Sequence, residues 1–327
     1  MKSIVVNEFG GPEVLSIQEA PPPTLAPGHV LVEVELASVN FADIMARQGR
    51  YHGGATPPFV PGLDVVGVVK AVADASDARL VGTRVIGFPT GGSYQELVLC
   101  DRRLIEVAPE NVSVADLGAA PLVLCTALEL LRLAEARGTF ESAMVYAASG
   151  GVGLTLLQLL RQRGASQIIA LVGNEEKAKR AREHGATDAI IYRRMADYGD
   201  AIMEATKGAG VDVSFNSVAG STAETDLKVV KNFGAIMVFG MASGQPGVYH
   251  SNELHGSARS VMGFSFGTMR RTRTDAVPEL LARARTVLES GSLRFPVEQI
   301  VAPGDVRTLH ERMEAGETSG KLLIDFT

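Results

Sequence analysis

The stretch Ala148-Ser149-Gly150-Gly151-Val152-Gly153 constrains this chain more than any other. It follows the apolar run Met144-Val145-Tyr146-Ala147 and opens the apolar-periodic segment Leu154 to Leu160. A strand, a glycine-dense turn and a helix in this order leave the first N–H groups of the helix without intrahelical acceptors. Unpaired amides and the positive end of the helix dipole favour negative charge, so a dinucleotide pyrophosphate suits the turn. Set against G-x-G-x-x-G, the first glycine is replaced by Ala148, with Gly150 and Gly153 in register. Ser149, Gly150, Gly151 and Val152 are the candidate phosphate contacts.

A second apolar run, Ile168 to Val172, ends at Gly173-Asn174-Glu175-Glu176-Lys177. Chains that bind NAD usually place Asp or Glu at the end of this strand, accepting from the adenosine ribose 2′-hydroxyl. Here glycine leaves room and Lys177 offers a cation one helical turn on. Glu175 and Glu176 fall in the first turn of the next helix, where the dipole stabilises them without a ligand. NADPH is therefore the expected cofactor, with Gly173, Asn174 and Lys177 around its 2′-phosphate. Taken alone, Lys177 reads equally well as a solvated helix lysine. Tyr192-Arg193, closing the short strand Ala189 to Tyr192, would reach the same end and add a second cation.

The 327 residues suffice for two domains and a substantial core. Hydrophobic content of 46% with 21% charge describes an ordinary globular protein. A net charge of −6 argues against a general nucleic-acid or anionic-membrane surface. Met1-Lys2-Ser3-Ile4 enters a strand pattern directly, and no apolar stretch is long enough to span a bilayer, so a cytoplasmic protein is expected. Cys100 and Cys125 sit in apolar surroundings and read as buried, inert thiols.

The first part of the chain is β-rich. Alternation in Ile4 to Val6, Val30 to Leu36, Val65 to Val72 and Arg84 to Gly87 is broken by Pro21-Pro22-Pro23, Pro57-Pro58 and Gly91-Gly92. From about Leu117 the texture becomes amphipathic. Strand candidates at 144–148, 168–172, 189–192, 212–218, 234–240 and 260–265 then alternate with helix-length segments, describing a doubly wound parallel sheet. Helical pattern returns at about 275–290 and 303–316, and Gly320 to Phe326 closes the chain as a strand. That strand cannot easily extend a finished nucleotide sheet and is expected to return to the N-terminal domain. The fold class is thus α/β, with a Rossmann domain over 121–264 and a discontinuous β-rich domain over 1–120 and 265–327.

Several motifs together carry a resemblance. They are Val39-Asn40-Phe41-Ala42-Asp43 through Tyr51, Pro61-Gly62-Leu63-Asp64-Val65-Val66-Gly67, Val81-Gly82-Thr83-Arg84-Val85 and Gly92-Ser93-Tyr94-Gln95-Glu96. Ala147 to Gly153, Asp212 to Val218 and Gly320-Lys321 continue the series. In this order they resemble the medium-chain dehydrogenases/reductases, and most of all their zinc-independent quinone oxidoreductase branch. The resemblance implies a GroES-like catalytic domain, a Rossmann sheet of strand order 3-2-1-4-5-6, and a homodimer, with the apolar region Val261 to Phe266 as its contact. A catalytic zinc in the wider family needs a cysteine, a histidine and a second cysteine or acid. Here Asn40, Leu63 and Leu122 fall at those places, and the structural-zinc lobe is missing, so no metal is expected. The six histidines are scattered and read as surface or loop residues.

Without a Lewis acid, an alcohol is a poor hydride donor, whereas a quinone or α,β-unsaturated carbonyl takes hydride into a conjugated system. Such chemistry asks for positioning and for hydrogen bonds to the developing oxyanion. Asn40 is the first catalytic candidate through its amide; the alternative is a turn-capping Asn after a strand. Tyr51 is the second, since the resemblance puts a pocket-lining tyrosine and proton source there; the alternative is an aromatic shielding a loop. Asp43 and Asp64 read as structural acids that accept backbone N–H bonds or pair with arginine. The resemblance places Thr126 against the nicotinamide, although a helix threonine can equally bond its own backbone. Asn216, Phe239, Gly240 and Phe264 fall at carboxyl ends of parallel strands, where ligands of such sheets bind. Arg270-Arg271-Thr272-Arg273 reads as a solvated loop; the resemblance implies an RNA-binding or lens-structural role, found in one branch of the family, as the non-enzymatic alternative. The expected activity is NADPH-dependent quinone reduction, with 2-enoyl or alkenal double-bond reduction as the enzymatic alternative.

Overall fold

The computed structural model describes residues 1–192 and 197–327. Arg193, the second cation expected near the adenine, lies outside the described residues. The alternating N-terminal segments form β1 (Lys2–Val6), β2 (Leu15–Glu19) and the long β3 (His29–Val39). A short helix α1 (Phe41–Arg47) leads to β4 (Val65–Val72), β5 (Arg84–Gly87), β6 (Leu97–Asp101) and β7 (Ile105–Val107). Helices α2 (Val114–Ala119) and α3 (Pro121–Glu135) follow.

Strands and helices then alternate: β8 (Ser142–Val145), α4 (Gly151–Gln162), β9 (Gln167–Val172), α5 (Glu175–Glu183) and β10 (Asp188–Ile191). Next come α6 (Tyr198–Ala205), β11 (Val211–Asn216), α7 (Thr222–Val229), β12 (Val230–Val238), α8 (Ser251–Ser257) and β13 (Ser260–Gly263). The chain closes with α9 (Phe266–Thr272), α10 (Val277–Ser290), β14 (Val297–Val301), α11 (Val306–Glu314) and β15 (Lys321–Asp325).

Two compact units result, Met1–Cys125 with Phe266–Thr327, and Thr126–Ser265. In the first, β15 pairs antiparallel with β3, which also pairs with β4 and β6. The closing strand thus returns to the N-terminal unit, as its late position in the chain requires. Inward-facing Val30, Val32, Val34, Leu322 and Ile324 meet Val65, Val69, Val85 and Val98 in one core. The second unit is a parallel sheet of order β10-β9-β8-β11-β12-β13, which is the expected 3-2-1-4-5-6. Met144, Ile169, Leu171, Val211 and Ile236 fill the core on one of its faces. Among the described residues no helix is long and apolar enough to cross a membrane.

Gly153 fixes how α4 meets β8. A Cβ there would lie 2.6 Å from Ala148 Cα and 2.7 Å from Ala147 O, both backbone atoms that cannot step aside. At Gly150, the N-cap of α4, the nearest atom would be Ala147 O at 3.3 Å. Gly153→Ala should therefore cost about 1–3 kcal/mol of stability, the usual range for overpacking. Gly150→Ala should cost less than about 1 kcal/mol, with urea unfolding of both variants as the measurement.

Candidate functional site

In the first unit, the last residues of β3 deliver Ser38 and Asn40 to the start of α1. The register Leu322↔Val39 sets Lys321 opposite Asn40. Lys321 Nζ donates to Asn40 Oδ1 at 2.7 Å, Ser38 Oγ at 3.0 Å and Val39 O at 3.2 Å. An ammonium can only donate, so its three hydrogens are used and the amide oxygen of Asn40 must face it. The amide nitrogen then faces Asp64 Oδ1 and Ser38 Oγ, both at 3.0 Å, and Ser38 O at 3.3 Å. Ser38 Oγ donates in turn to Asp64 Oδ1 at 2.5 Å. Lys321, Ser38, Asn40 and Asp64 thus close a ring with every donor satisfied. Burial lowers the Lys321 pKa, while the Asp64 and Asp43 carboxylates oppose that shift.

The second Asp64 oxygen accepts the Leu122 N–H at 3.0 Å. One carboxylate, next in the chain to Leu63, thus ties Asn40 and Leu122 together. Gly62, at φ +100°, makes the turn that brings Leu63 and Asp64 there, and a Cβ on it would meet Ser93 Oγ at 2.0 Å. Asp64 thus acts as the structural acceptor expected of it. Among the described residues no group of three or more His, Cys, Asp or Glu is placed to hold a metal ion.

Asp43 lies in the first turn of α1 and accepts the Asn40 backbone N–H at 2.8 Å, which caps the helix. It also accepts the Tyr94 hydroxyl at 3.1 Å. Burial lifts its pKa to about 7, against the lowering effect of the Asn40 bond. Tyr94 in turn lies 3.2 Å from His310 Nε2. His310 is fully buried on α11, so the reading of all six histidines as surface or loop residues is wrong for this one. Burial first, then the charge of Arg47, lowers its pKa to about 3. Arg47, also fully buried, pairs with Glu314.

Tyr51 follows α1 and packs against His52, ring centroids 4.4 Å apart. Of the arginine run that reads as a solvated loop, Arg270 to Thr272 end α9 and only Arg273 lies beyond it. Arg270 there is half-buried and donates to Leu63 O at 3.1 Å and Pro89 O at 3.3 Å. Its spacing from buried Phe266 explains this: four residues on, it shares the inward face. Cys100 and Cys125 are fully buried, and burial pushes both thiols up, Cys100 to about 12. Neither is a nucleophile at neutral pH.

In the second unit, α4 starts at Gly151 with Gly150 as N-cap, and Leu154 is the first residue whose N–H bonds back, to Gly150 O. The amides of Gly151, Val152 and Gly153 precede it in that turn. β9 ends before Gly173, and the Asn174 side chain caps α5 by accepting the Lys177 N–H at 2.9 Å. Tyr192 stands edge-on to Tyr146 and Tyr198, at 6.1 and 5.4 Å between centroids.

Asn216 closes β11 with all its side-chain bonding used. Its Nδ2 donates to Thr222 Oγ1 at 2.8 Å and Asp226 Oδ2 at 2.7 Å, and its Oδ1 accepts the Val218 and Ala219 N–H groups. Its carbonyl accepts from Phe239 N–H, which fixes the end of β12 beside it. Asp226 also takes the Ser214 hydroxyl at 2.6 Å and the Tyr249 hydroxyl at 3.1 Å, yet burial still lifts its pKa to about 6. Gly240 lies so close to Ser217 that a Cβ would meet its carbonyl oxygen at 2.6 Å. Phe264 N–H bonds Val238 O just beyond β13. Thr126 is buried on α3.

His310 yields a pH prediction. Its folded pKa lies below the unfolded 6.5, so between pH 6.5 and about 3 the unfolded chain holds the extra proton. Acidification through that window therefore removes stability, by up to about 1.4 kcal/mol per pH unit. His310→Phe lacks this contribution. Its deficit against the wild type at pH 7.5 should shrink at pH 5, as read by urea unfolding; a constant deficit would contradict the buried neutral imidazole.

Two family models match the chain. Residues 26–110 match the "Alcohol dehydrogenase GroES-like domain", and residues 151–284 match "Zinc-binding dehydrogenase". "Quinone oxidoreductase-like protein 2" of Rattus norvegicus is 32% identical over 324 residues, covering 99% of this chain and 91% of that protein. The "Quinone oxidoreductase" of the same animal is 34% identical over 245 residues, or 73% of each. Among solved structures, Escherichia coli quinone oxidoreductase complexed with NADPH superposes with a TM-score of 0.91 at 27% identity, covering 99% of this chain and 100% of that one. The chain belongs to the quinone oxidoreductase branch of the medium-chain dehydrogenases/reductases.

Proposed function

We propose that this chain is a zinc-independent, NADPH-dependent oxidoreductase that reduces quinones. The observation that carries the reading is the Asp64 carboxylate binding Asn40 and Leu122 by hydrogen bonds, where a metal-dependent relative needs ligands. An amide and two leucine side chains hold zinc poorly, so the acceptor must already be electrophilic. The quinone oxidoreductases among its relatives, and the Escherichia coli structure with NADPH, support the same conclusion.

The residues present fit NADPH. The α4 N-terminus offers unpaired amides from Gly151 to Gly153 beneath a turn with no side chain at Gly150 or Gly151, which suits a pyrophosphate. Ser149 and Val152 complete that turn. Gly173 leaves space and Lys177 brings charge for a 2′-phosphate, with Asn174 holding the helix start. Tyr192 belongs to the same end. Thr126, Phe239, Gly240 and Phe264 are the proposed contacts for the nicotinamide half, and Asn216 fixes the backbone that presents them. Bound NADPH supplies a hydride; the protein orients the acceptor and donates hydrogen bonds to its oxygen.

Two donors are proposed. One is the Tyr51 hydroxyl. The other is the Asn40 amide, whose two hydrogens face Ser38 and Asp64, so donating to substrate means exchanging one of these acceptors for the substrate oxygen. The reading includes cytoplasmic residence and pairing of two copies along β13, an edge of the parallel sheet.

Steady-state NADPH oxidation by chelator-treated protein, with an ortho-quinone and a simple enone side by side, tests the proposal. Turnover of the quinone is expected, and turnover of the enone alone would move the chain to the double-bond reductases. Tyr51→Phe should keep quinone turnover within about fivefold, because loss of one hydrogen bond to a reduced quinone is worth about 1 kcal/mol. Collapse of activity would instead mark enone chemistry that needs a proton donor. Lys177→Ala should raise KM for NADPH about tenfold and spare NADH, as loss of a charge-assisted phosphate contact does. An equal effect on both cofactors would contradict the 2′-phosphate assignment.

A further inference from the structure

The surroundings of Tyr51 narrow the acceptor further. An ideal Cβ on Gly267 would lie 2.3 Å from the Tyr51 hydroxyl oxygen and 3.6 Å from an Arg271 guanidinium nitrogen. A Cβ on Gly53 would lie 2.8 Å from Cδ1 of the same ring and 3.4 Å from the same nitrogen. The Tyr51 ring therefore runs between two glycines, with the Arg271 guanidinium beside both. Arg270, one residue earlier, is spent inside the fold on the Leu63 and Pro89 carbonyls. Arg271 is exposed, and among the described residues its guanidinium makes neither an ion pair nor a hydrogen bond.

Arg103 and Arg285 each hold carboxylates on this unit, and Asp275, the acid closest in sequence to Arg271, pairs with Arg103. The buried Asp43 and Asp64 act on Arg270. Arg271 disfavours a second cation on His52, whose pKa is lowered by burial first and then by this guanidinium. A planar fork of donors with no carboxylate of its own, next to a hydroxyl proposed to address the substrate oxygen, matches an oxyanion on the same substrate.

We propose that Arg271 is a specificity-determining residue, selecting conjugated carbonyl acceptors that carry a carboxylate or sulfonate near the reducible oxygen. The proposal rests on the reductase reading and on Tyr51 lying at its acceptor site. Gly53 and Gly267 are part of the device, since a side chain at either would displace the ring from the guanidinium.

The test compares 1,2-naphthoquinone with its 4-sulfonate. The wild type should favour the sulfonate in kcat/KM. Arg271→Ala should lower kcat/KM for the sulfonate about tenfold more than for the neutral quinone, the size expected of a partly exposed charge-assisted contact. Arg271→Lys should restore part of the difference, and 0.5 M NaCl should erode it in the wild type, because exposed charges are screened. Equal losses on both quinones, or none on either, would overturn the proposal. Calorimetric binding of naphthalene-2-sulfonate, which cannot be reduced, reads the same preference without turnover. Arg271-dependent binding in a protein inactive on both quinones would sink the reductase reading and leave the anion site standing; binding indifferent to Arg271 would sink the anion site.

Discussion

The Asn40 end of the candidate acceptor site hangs on one buried ammonium. Lys321 is 3% exposed and 281 residues from the amide it orients. A lone charge at that depth would cost several kcal/mol. Here three oxygens take its three hydrogens, and Asp64 supplies the opposite charge through Ser38 and Asn40. The same contacts fasten the closing strand β15 to the β3–α1 junction and set which edge of the Asn40 amide faces Asp64. Removing a member therefore disturbs a strand end, a helix start and a candidate catalytic group at once.

The parallel sheet uses the same device with different residues. Asn216 and Asp226 hold the turn after β11 with local N–H groups and three hydroxyls, those of Thr222, Ser214 and Tyr249, and the Asn216 carbonyl fixes Phe239. In each unit a buried amide is oriented by donors on one edge and acceptors on the other, so its rotamer follows from bond count. Rigid scaffolds of this kind let backbone atoms at strand ends present themselves to a ligand without rearranging. Phe239, one of the proposed nicotinamide contacts, stands directly on such an anchored position.

Much of this was legible in the sequence where the signal is local. The glycine turn and the alternation of strands and helices come from periodicities of two and three to four residues, whereas the 3-2-1-4-5-6 order came from the family resemblance. The non-local partners were not legible. Lys321 was visible only as part of a motif, because its role depends on a strand register that joins the two ends of the chain. His310 and Arg270 looked like surface residues, yet each had a helical signal. His310 follows Val306 and Leu309 on the apolar face of α11, and Arg270 follows Phe266 by one turn. Asp226 and Tyr249 carried no signal, since nothing in their neighbourhood announces that they meet at Asn216.

The most direct test of the account is a double-mutant cycle on Lys321 and Asp64. Lys321→Met and Asp64→Asn should each destabilise the protein by about 3–5 kcal/mol, because each leaves a buried charge without its counterpart. The double variant should cost less than the two together by more than about 1 kcal/mol, as coupled sites do. Additive losses would contradict the ring, and would mean that Lys321 and Asp64 are buried independently of each other.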